Sequence, residues 1–323
     1  MTIIDNKKEI ESLIKNSSSV FIMGHKYLDL DAIGSAIGVY EYVRYLEKDA
    51  TIIINDRNLE AGVKKVLDQV EGKYKIKKSS KIKLRIDNKS LLIVVDTNKE
   101  KLLQDPLLLD AFENVIVIDH HDLSEKSISN GLIIVDEEAS STCEMITDFL
   151  DYNGISIDSE VATILLSGIV LDTNNYVLKT TTNTFRASYL LTQKGADPNN
   201  VQYLLKQNLK KYIERQKVVT NAKIIKKVAI SCAKSTLTYR REDLARIADT
   251  LMLFNNIEAS FVIGKLDKNT VGISARSIGN VNVGEVLEHF NGGGDENEAG
   301  ARIDNKSIKK VEEELKEVLK SLT

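Results

Sequence analysis

Three short apolar runs in this sequence stop at residues that can do chemistry. "SVFIMG" (19–24) is followed by His25, "SLLIVVDT" (90–97) reaches Asp96, and "NVIVIDHH" (114–121) ends in Asp119, His120 and His121. Continuous apolar runs of this length, bounded by polar residues, read as strands buried on both faces, the form a parallel sheet requires. "ATIII" (50–54) reads as another. Residues 6–16 and "DAIGSAIGVYEYVRYLEK" (31–48) have helical spacing, with Asp31 placed to cap the second of these. Strands alternating with helices imply βαβ units. The expected fold class is therefore α/β, a mostly parallel, doubly wound sheet.

In an open parallel sheet the C-terminal strand ends face the ligand crevice. The runs thus deliver His25 with Asp29 and Asp31, then Asp96, then Asp119, His120 and His121 to one edge. "DSEVATILLSGIVLDTNN" (158–175) reads as a buried helix and adds Asp172 at its end. One aspartate at a strand end is ordinarily a cap or turn residue, and one histidine ordinarily a structural hydrogen-bonder. Four segments ending alike point instead to a metal centre. Oxygen and imidazole together suit Mn²⁺, Fe²⁺, Co²⁺ or Zn²⁺ better than Mg²⁺ or Ca²⁺. Six or so ligands are too many for one tetrahedral ion and enough for two ions ~3.5–4 Å apart sharing a carboxylate, an arrangement suited to in-line attack on phosphorus.

The remaining features bound the partners. With 44 basic and 47 acidic residues the chain lacks the basic excess of proteins that grip long nucleic acid. The basic run "KQNLKKYIERQK" (206–217) contains Glu214 and reads as a solvated face. No apolar stretch approaches the ~20 residues of a membrane span, and the N-terminus is charged and mixed, so a cytoplasmic chain is expected. Cys143 and Cys232 read as free thiols. The pattern divides into residues 1–195, a helical linker over 196–222, and a smaller α+β part over 223–323. That last part has hairpin-like strands in "VAISCAK" and "EASFVIGKLDKNTVGISARSIG", a helix in "NVGEVLEHF", and a closing surface helix in "SIKKVEEELKEVLKSL".

"GHKYLDLDAIGSA", "VVDT", "VIDHH" and "GIVLDTNNY" resemble, in order and spacing, the four motifs of the DHH phosphoesterase superfamily, and "VGISARS" and "NGGG" resemble its DHH-associated C-terminal domain. "EEASSTCEMITDFL" and "KTTTNTF" are similar to the phosphodiesterase portion of GdpP-type cyclic di-AMP phosphodiesterases. The resemblance implies that His25 and Asp29 hold one metal and Asp31, His120 and Asp172 the other, with Asp96 bridging. It gives catalytic roles to Asp96, Asp119, His120 and His121, with Asp119 and His121, on either side of His120, orienting ligands or touching phosphate. Ser274 and Arg276 would bind substrate phosphate, and Gly292, Gly293 and Gly294 could bring backbone N–H groups to it. The implied cofactors are two divalent ions, Mn²⁺ first. The implied partner is a small cyclic or linear dinucleotide, cyclic di-AMP or 5′-pApA, held between the two parts, and the resemblance is compatible with a homodimer.

Two features depart from the pattern. The family has a histidine after the triple glycine, where this chain has Asp295; Arg302 could neutralise it, and His289 could substitute for the histidine. The GdpP-type proteins also carry membrane helices and two further domains, so a stand-alone enzyme or the soluble catalytic part of a membrane protein is expected. A nanoRNase and pAp phosphatase of the same superfamily is the enzymatic rival, against which stands Leu30 where those proteins tend to have glycine. A nucleotide-binding sensor with weak catalysis is the rival from another class.

Overall fold

The computed structural model describes residues 2–55, 59–82, 86–279 and 281–322, which fall into two compact units, Met1–Gln207 and Asn208–Thr323. In the first unit α1 (Lys7–Asn16) leads into β1 (Val20–Met23), α2 (Leu30–Tyr45), β2 (Ala50–Ile53), α3 (Ala61–Gln69), β3 (Ile76–Lys77), β4 (Leu91–Val95), β5 (Asn114–Asp119) and β6 (Leu132–Val135). Four helices follow: α4 (Thr142–Tyr152), α5 (Ser159–Asp172), α6 (Thr182–Gln193) and α7 (Pro198–Leu204). The six strands form one sheet, parallel throughout, in the order β3-β2-β1-β4-β5-β6. The chain builds outward from β1 in one direction and from β4 in the other. Loops leaving the C-terminal ends of β1 and β4 therefore diverge, and such a switch point is where an open α/β sheet leaves room for a ligand.

β1 and β4 are buried at every position because both sheet faces are covered. Val20, Ile22, Leu91, Ile93, Val95, Ile116 and Ile118 face the α-helices. Phe21, Met23, Leu92, Val94, Val115 and Val117 face the other way, where Leu103, Leu108 and Phe112 from short 3₁₀ segments and turns close the core. β6 and α3 were not among the expected elements: β6 is a half-buried edge strand of four residues and α3 a helix of nine.

α2 is buried along nearly all of its length, and its glycines set how closely α4 and α5 approach. A Cβ at Gly34 would fall 2.7 Å from Cys143 Sγ, and one at Gly38 2.5 Å from Ile146 Cγ2. Overpacking of this kind costs ~1–3 kcal/mol, more than the ~0.5–1 kcal/mol that alanine gains over glycine inside a helix. Gly38→Ala is therefore expected to lower the denaturant midpoint of the first unit with the slope unchanged. An equal or higher midpoint would contradict the close approach.

The second unit contains α8 (Leu209–Val219), β7 (Lys223–Ile225), β8 (Val228–Cys232), α9 (Arg241–Leu251), β9 (Ala259–Lys265), β10 (Thr270–Ser277), α10 (Val283–Glu288), β11 (Gly293–Gly294), β12 (Glu298–Asp304) and α11 (Ile308–Leu322). Its sheet runs β11-β12-β10-β9-β8-β7, antiparallel except for the parallel pair β8–β9. α10 and α11 cover one face; α8 and α9 cover the other. α11 does more than close the surface: it buries Ile308, Val311, Leu315 and Leu319. The stretch 196–222, expected as a linker, holds α7 in the first unit and α8 in the second. Among the described residues no helix is long and apolar enough to cross a membrane.

Candidate metal centre

The loop after β1 carries His25, Asp29 and Asp31 into the switch point. The expectation that Asp31 caps α2 is corrected by the structure. Asp29 is the cap, its Oδ1 accepting the Asp31 and Ala32 amides at 3.1 and 3.0 Å. Asp31 is one residue into the helix, and its side chain turns inward with no exposure. There it accepts the Thr142 and Cys143 amides, each at 2.8 Å, across more than a hundred residues of sequence.

Asp96 follows β4 with φ 58°, in the left-handed region. Aspartate tolerates that conformation better than most residues, and its amide still donates to Ile118 O at 3.0 Å. The turn aims the carboxylate into the centre. Its Oδ2 lies 3.3 Å from His25 Nε2, and its Oδ1 lies 3.5 Å from His120 Nε2. His120 Nε2 is also 3.2 Å from Asp172 Oδ2, and His25 Nε2 is 3.7 Å from Asp29 Oδ1. Two groups result that share Asp96. One is His25, Asp29 and Asp96; the other is Asp31, Asp96, His120 and Asp172, each offering ligand atoms within 4.8 Å of one another. All six residues expected at the centre are brought together. A third group joins His121 to Asp96 and His120.

Asp119 is fully buried and holds the turn. Its Oδ1 accepts the His120 amide at 2.9 Å and meets His121 Nδ1 at 2.8 Å. His121 is the open member, its side chain 55% exposed, while His120 and Asp96 are closed off at 6% and 2%.

The electrostatics show an excess of negative charge seeking cations. Burial pushes the Asp31 carboxyl well above the usual carboxylate range, and the nearby Asp96 and Asp172 charges push it further. Burial likewise lifts Asp172 to about 6, against the pull of His120. Burial works against protonation of His25 and His120, yet the neighbouring aspartates outweigh it and raise both well above the ordinary imidazole value. Asp96 is driven down despite its burial, because the His120 and His25 rings lie close against its two oxygens. A divalent cation can replace those protons. His120 Nε2 is buried without a hydrogen-bond partner while pointing at two carboxylates. An orphaned imidazole nitrogen among buried carboxylates fits a metal ligand.

By residue type and position, Ser140, Ser141 and Thr142 read as a helix-capping run. Ser141 is indeed the α4 cap, accepting the Glu144 amide at 3.1 Å. Thr142 also reaches the centre, its hydroxyl donating to Asp96 Oδ1 at 3.3 Å.

In the second unit, Ser274 and Arg276 alternate with the core-facing Ile273 and Ala275 of β10 and so share the opposite sheet face. The Arg276 fork is already engaged: Nε donates to Asp249 Oδ1 at 2.6 Å, one terminal nitrogen donates to Ala275 O at 2.9 Å, and the other lies 3.4 Å from Glu298. Gly292 donates its amide to Leu287 O at the end of α10, whereas Gly293 and Gly294 pair with Gly300 and Ala299 of β12. Asp295 is a turn residue whose Oδ1 accepts the Asn297 and Glu298 amides, both at 2.7 Å. His289 is exposed and its ring meets Glu285 O at 3.1 Å, a helix-terminal position.

The chain is similar to several known proteins. It is 35% identical over 319 residues to the cyclic-di-AMP phosphodiesterase GdpP of Geobacillus thermodenitrificans, a match covering 96% of this chain and 48% of that protein. The chain thus spans about half the length of that relative. It is 25% identical to the bifunctional oligoribonuclease and PAP phosphatase NrnA of Mycoplasma genitalium, over 92% of each chain. Its fold matches the crystal structure of an exopolyphosphatase-related protein from Bacteroides fragilis, with TM-score 0.80, 21% identity, and 100% of this chain and 99% of that one covered. A model of the DHH family N-terminal domain matches residues 19–169 and a model of the DHHA1 domain matches residues 226–323. The motifs, the switch-point centre and these two matches agree: the chain belongs to the DHH family and carries a DHHA1 domain after its DHH domain.

Proposed function

We propose that this chain is a metal-dependent phosphodiesterase that hydrolyses cyclic di-AMP, its linear product 5′-pApA, or both. The observation that carries this reading is the shared carboxylate: Asp96 turns one oxygen toward His25 and the other toward His120. His25 and Asp29 would hold one divalent ion, Asp31, His120 and Asp172 a second, with Asp96 common to both and Mn²⁺ the proposed identity. Bound there, such ions supply an activated water and neutralise charge on the phosphoryl oxygens.

The chain's own residues do the rest. The backbone amides at the start of α4 keep Asp31 fixed. Asp119 fixes the His121 ring through Nδ1, leaving the exposed imidazole free to hold or move a proton at a phosphate oxygen. Ser274, Arg276 and the Gly292–Gly294 stretch are proposed to bind phosphate in the DHHA1 domain. Arg276 can do so by exchanging its longest contact, the one to the part-exposed Glu298. The proposed division of labour gives metal binding to the first unit and substrate phosphate to the second. The similarity to GdpP supports a dinucleotide substrate.

The similarity to NrnA along nearly the whole chain favours a second reading, oligoribonuclease and pAp phosphatase. Rates on cyclic di-AMP, pApA, longer RNA oligomers and pAp in Mn²⁺ buffer separate the two. The first reading expects the dinucleotides to be turned over fastest. Preference for pAp or RNA oligomers would favour the second, and tight dinucleotide binding with no hydrolysis would overturn both.

A further inference from the structure

We infer that Thr142, at the first turn of α4, is a positioning residue that locks the shared carboxylate and Asp31 into one arrangement. The inference rests on the proposed metal centre and extends it to a side chain that does not itself touch an ion. Thr142 is fully buried. Its hydroxyl donates to Asp96 Oδ1 at 3.3 Å, and its amide donates to Asp31 Oδ2 at 2.8 Å. One residue therefore holds a carboxylate from each of two separate segments, and the Cys143 amide takes the other Asp31 oxygen at 2.8 Å.

Both held groups need holding. Asp96 sits at φ 58°, a conformation aspartate tolerates better than most residues but that its surroundings still help to hold. Its Oδ1 is the oxygen that faces His120, so a donor on Oδ1 fixes which lone pair remains for coordination. Asp31 has both oxygens engaged by amides, which leaves each one a single remaining direction. The clamp is itself braced. Ser141 caps α4, and Glu144 accepts from the Ser140 amide at 3.2 Å and from the Thr184 hydroxyl of α6 at 2.7 Å. On the far side, a Cβ at Gly168 of α5 would lie 3.0 Å from Asp31 Oδ1 and 2.5 Å from Cys143 Sγ, so α5 closes over the carboxylate as well.

Removing a group that orients a metal ligand typically costs 10–100-fold in affinity, so Thr142→Val is expected to weaken Mn²⁺ binding by roughly that factor. Because Asp96 is common to both groups, both binding events should weaken. The measurement is calorimetric titration of chelator-treated full chain with Mn²⁺ alone, with far-UV circular dichroism to verify folding. Thr142→Ser keeps the hydroxyl and should restore affinity, which a purely space-filling role for the side chain would not require. Thr142→Ala is the companion should the valine variant fail to fold, since it leaves space rather than a misplaced methyl. Wild-type Mn²⁺ affinity in either folded variant overturns the inference, and so does equal loss in Thr142→Ser. Failure of the wild-type chain to bind Mn²⁺ at all would instead overturn the metal reading itself, so the two failures are told apart.

Discussion

Asp96→Asn is expected to abolish phosphodiester hydrolysis while leaving the fold intact. Asparagine tolerates the left-handed backbone at this position, whereas alanine there would add strain of roughly 1–2 kcal/mol. The substitution removes the one negative charge that both groups share. Metal-ion catalysis supplies several kcal/mol of transition-state stabilisation, and each 1.36 kcal/mol is tenfold in rate, so a loss of about 10³-fold or more in kcat/KM is the expected size. The check is a steady-state assay on pApA and cyclic di-AMP beside a thermal melt. Near-normal turnover by a folded Asp96→Asn protein would remove Asp96 from the mechanism.

The second large effect is on stability. Asp29, Asp31 and Asp172 gather around Asp96 in two overlapping groups, and a bound cation would relieve the repulsion among these carboxylates only in the folded state. At a hundredfold excess over Kd, one ligand site adds about 2.7 kcal/mol. For a unit of some two hundred residues each kcal/mol raises the melting temperature by roughly 2–4 °C. Chelator-treated protein should therefore melt ~5–10 °C higher per occupied site when Mn²⁺ is returned, by combination of those two relations. Mg²⁺ and Ca²⁺, which disfavour imidazole, should give smaller shifts. Asp96→Asn should lose most of the Mn²⁺ shift. A melt indifferent to Mn²⁺ would be incompatible with the proposed centre.

The parallel sheet and most of the clustered residues were legible because β1, β4 and β5 are continuous apolar runs followed by acids or histidines, and sheet geometry carries those stops to one edge; Asp172 was legible as the end of a buried helix. That Asp29 rather than Asp31 caps α2 was not. Both are followed by the same helical pattern, and what decides between them is the α4 amides, which reach Asp31 from far along the chain. The left-handed backbone at Asp96 leaves no local trace, since aspartate is also ordinary in turns. Thr142 looked like part of a cap because its second partner is a tertiary contact. β6 and α3 did carry readable patterns, β6 as an apolar run as long as β1 and α3 with Val63 and Val66 at helical spacing. In the second unit Arg276 was expected to be free for phosphate, and the acids that engage it come from α9 and β12, elements whose placement beside β10 no spacing reveals.

Asp29 anchors the first turn of α2 with the same oxygen that faces His25. The helix and the proposed coordinating atom are thus one mechanical body, wedged by Gly34 and Gly38 against its neighbours. Any fraying or sliding of that helix would be transmitted directly as a change in grip on an ion held at the proposed centre, so substitutions buried well away from it are expected to retune that grip without altering a single proposed ligand.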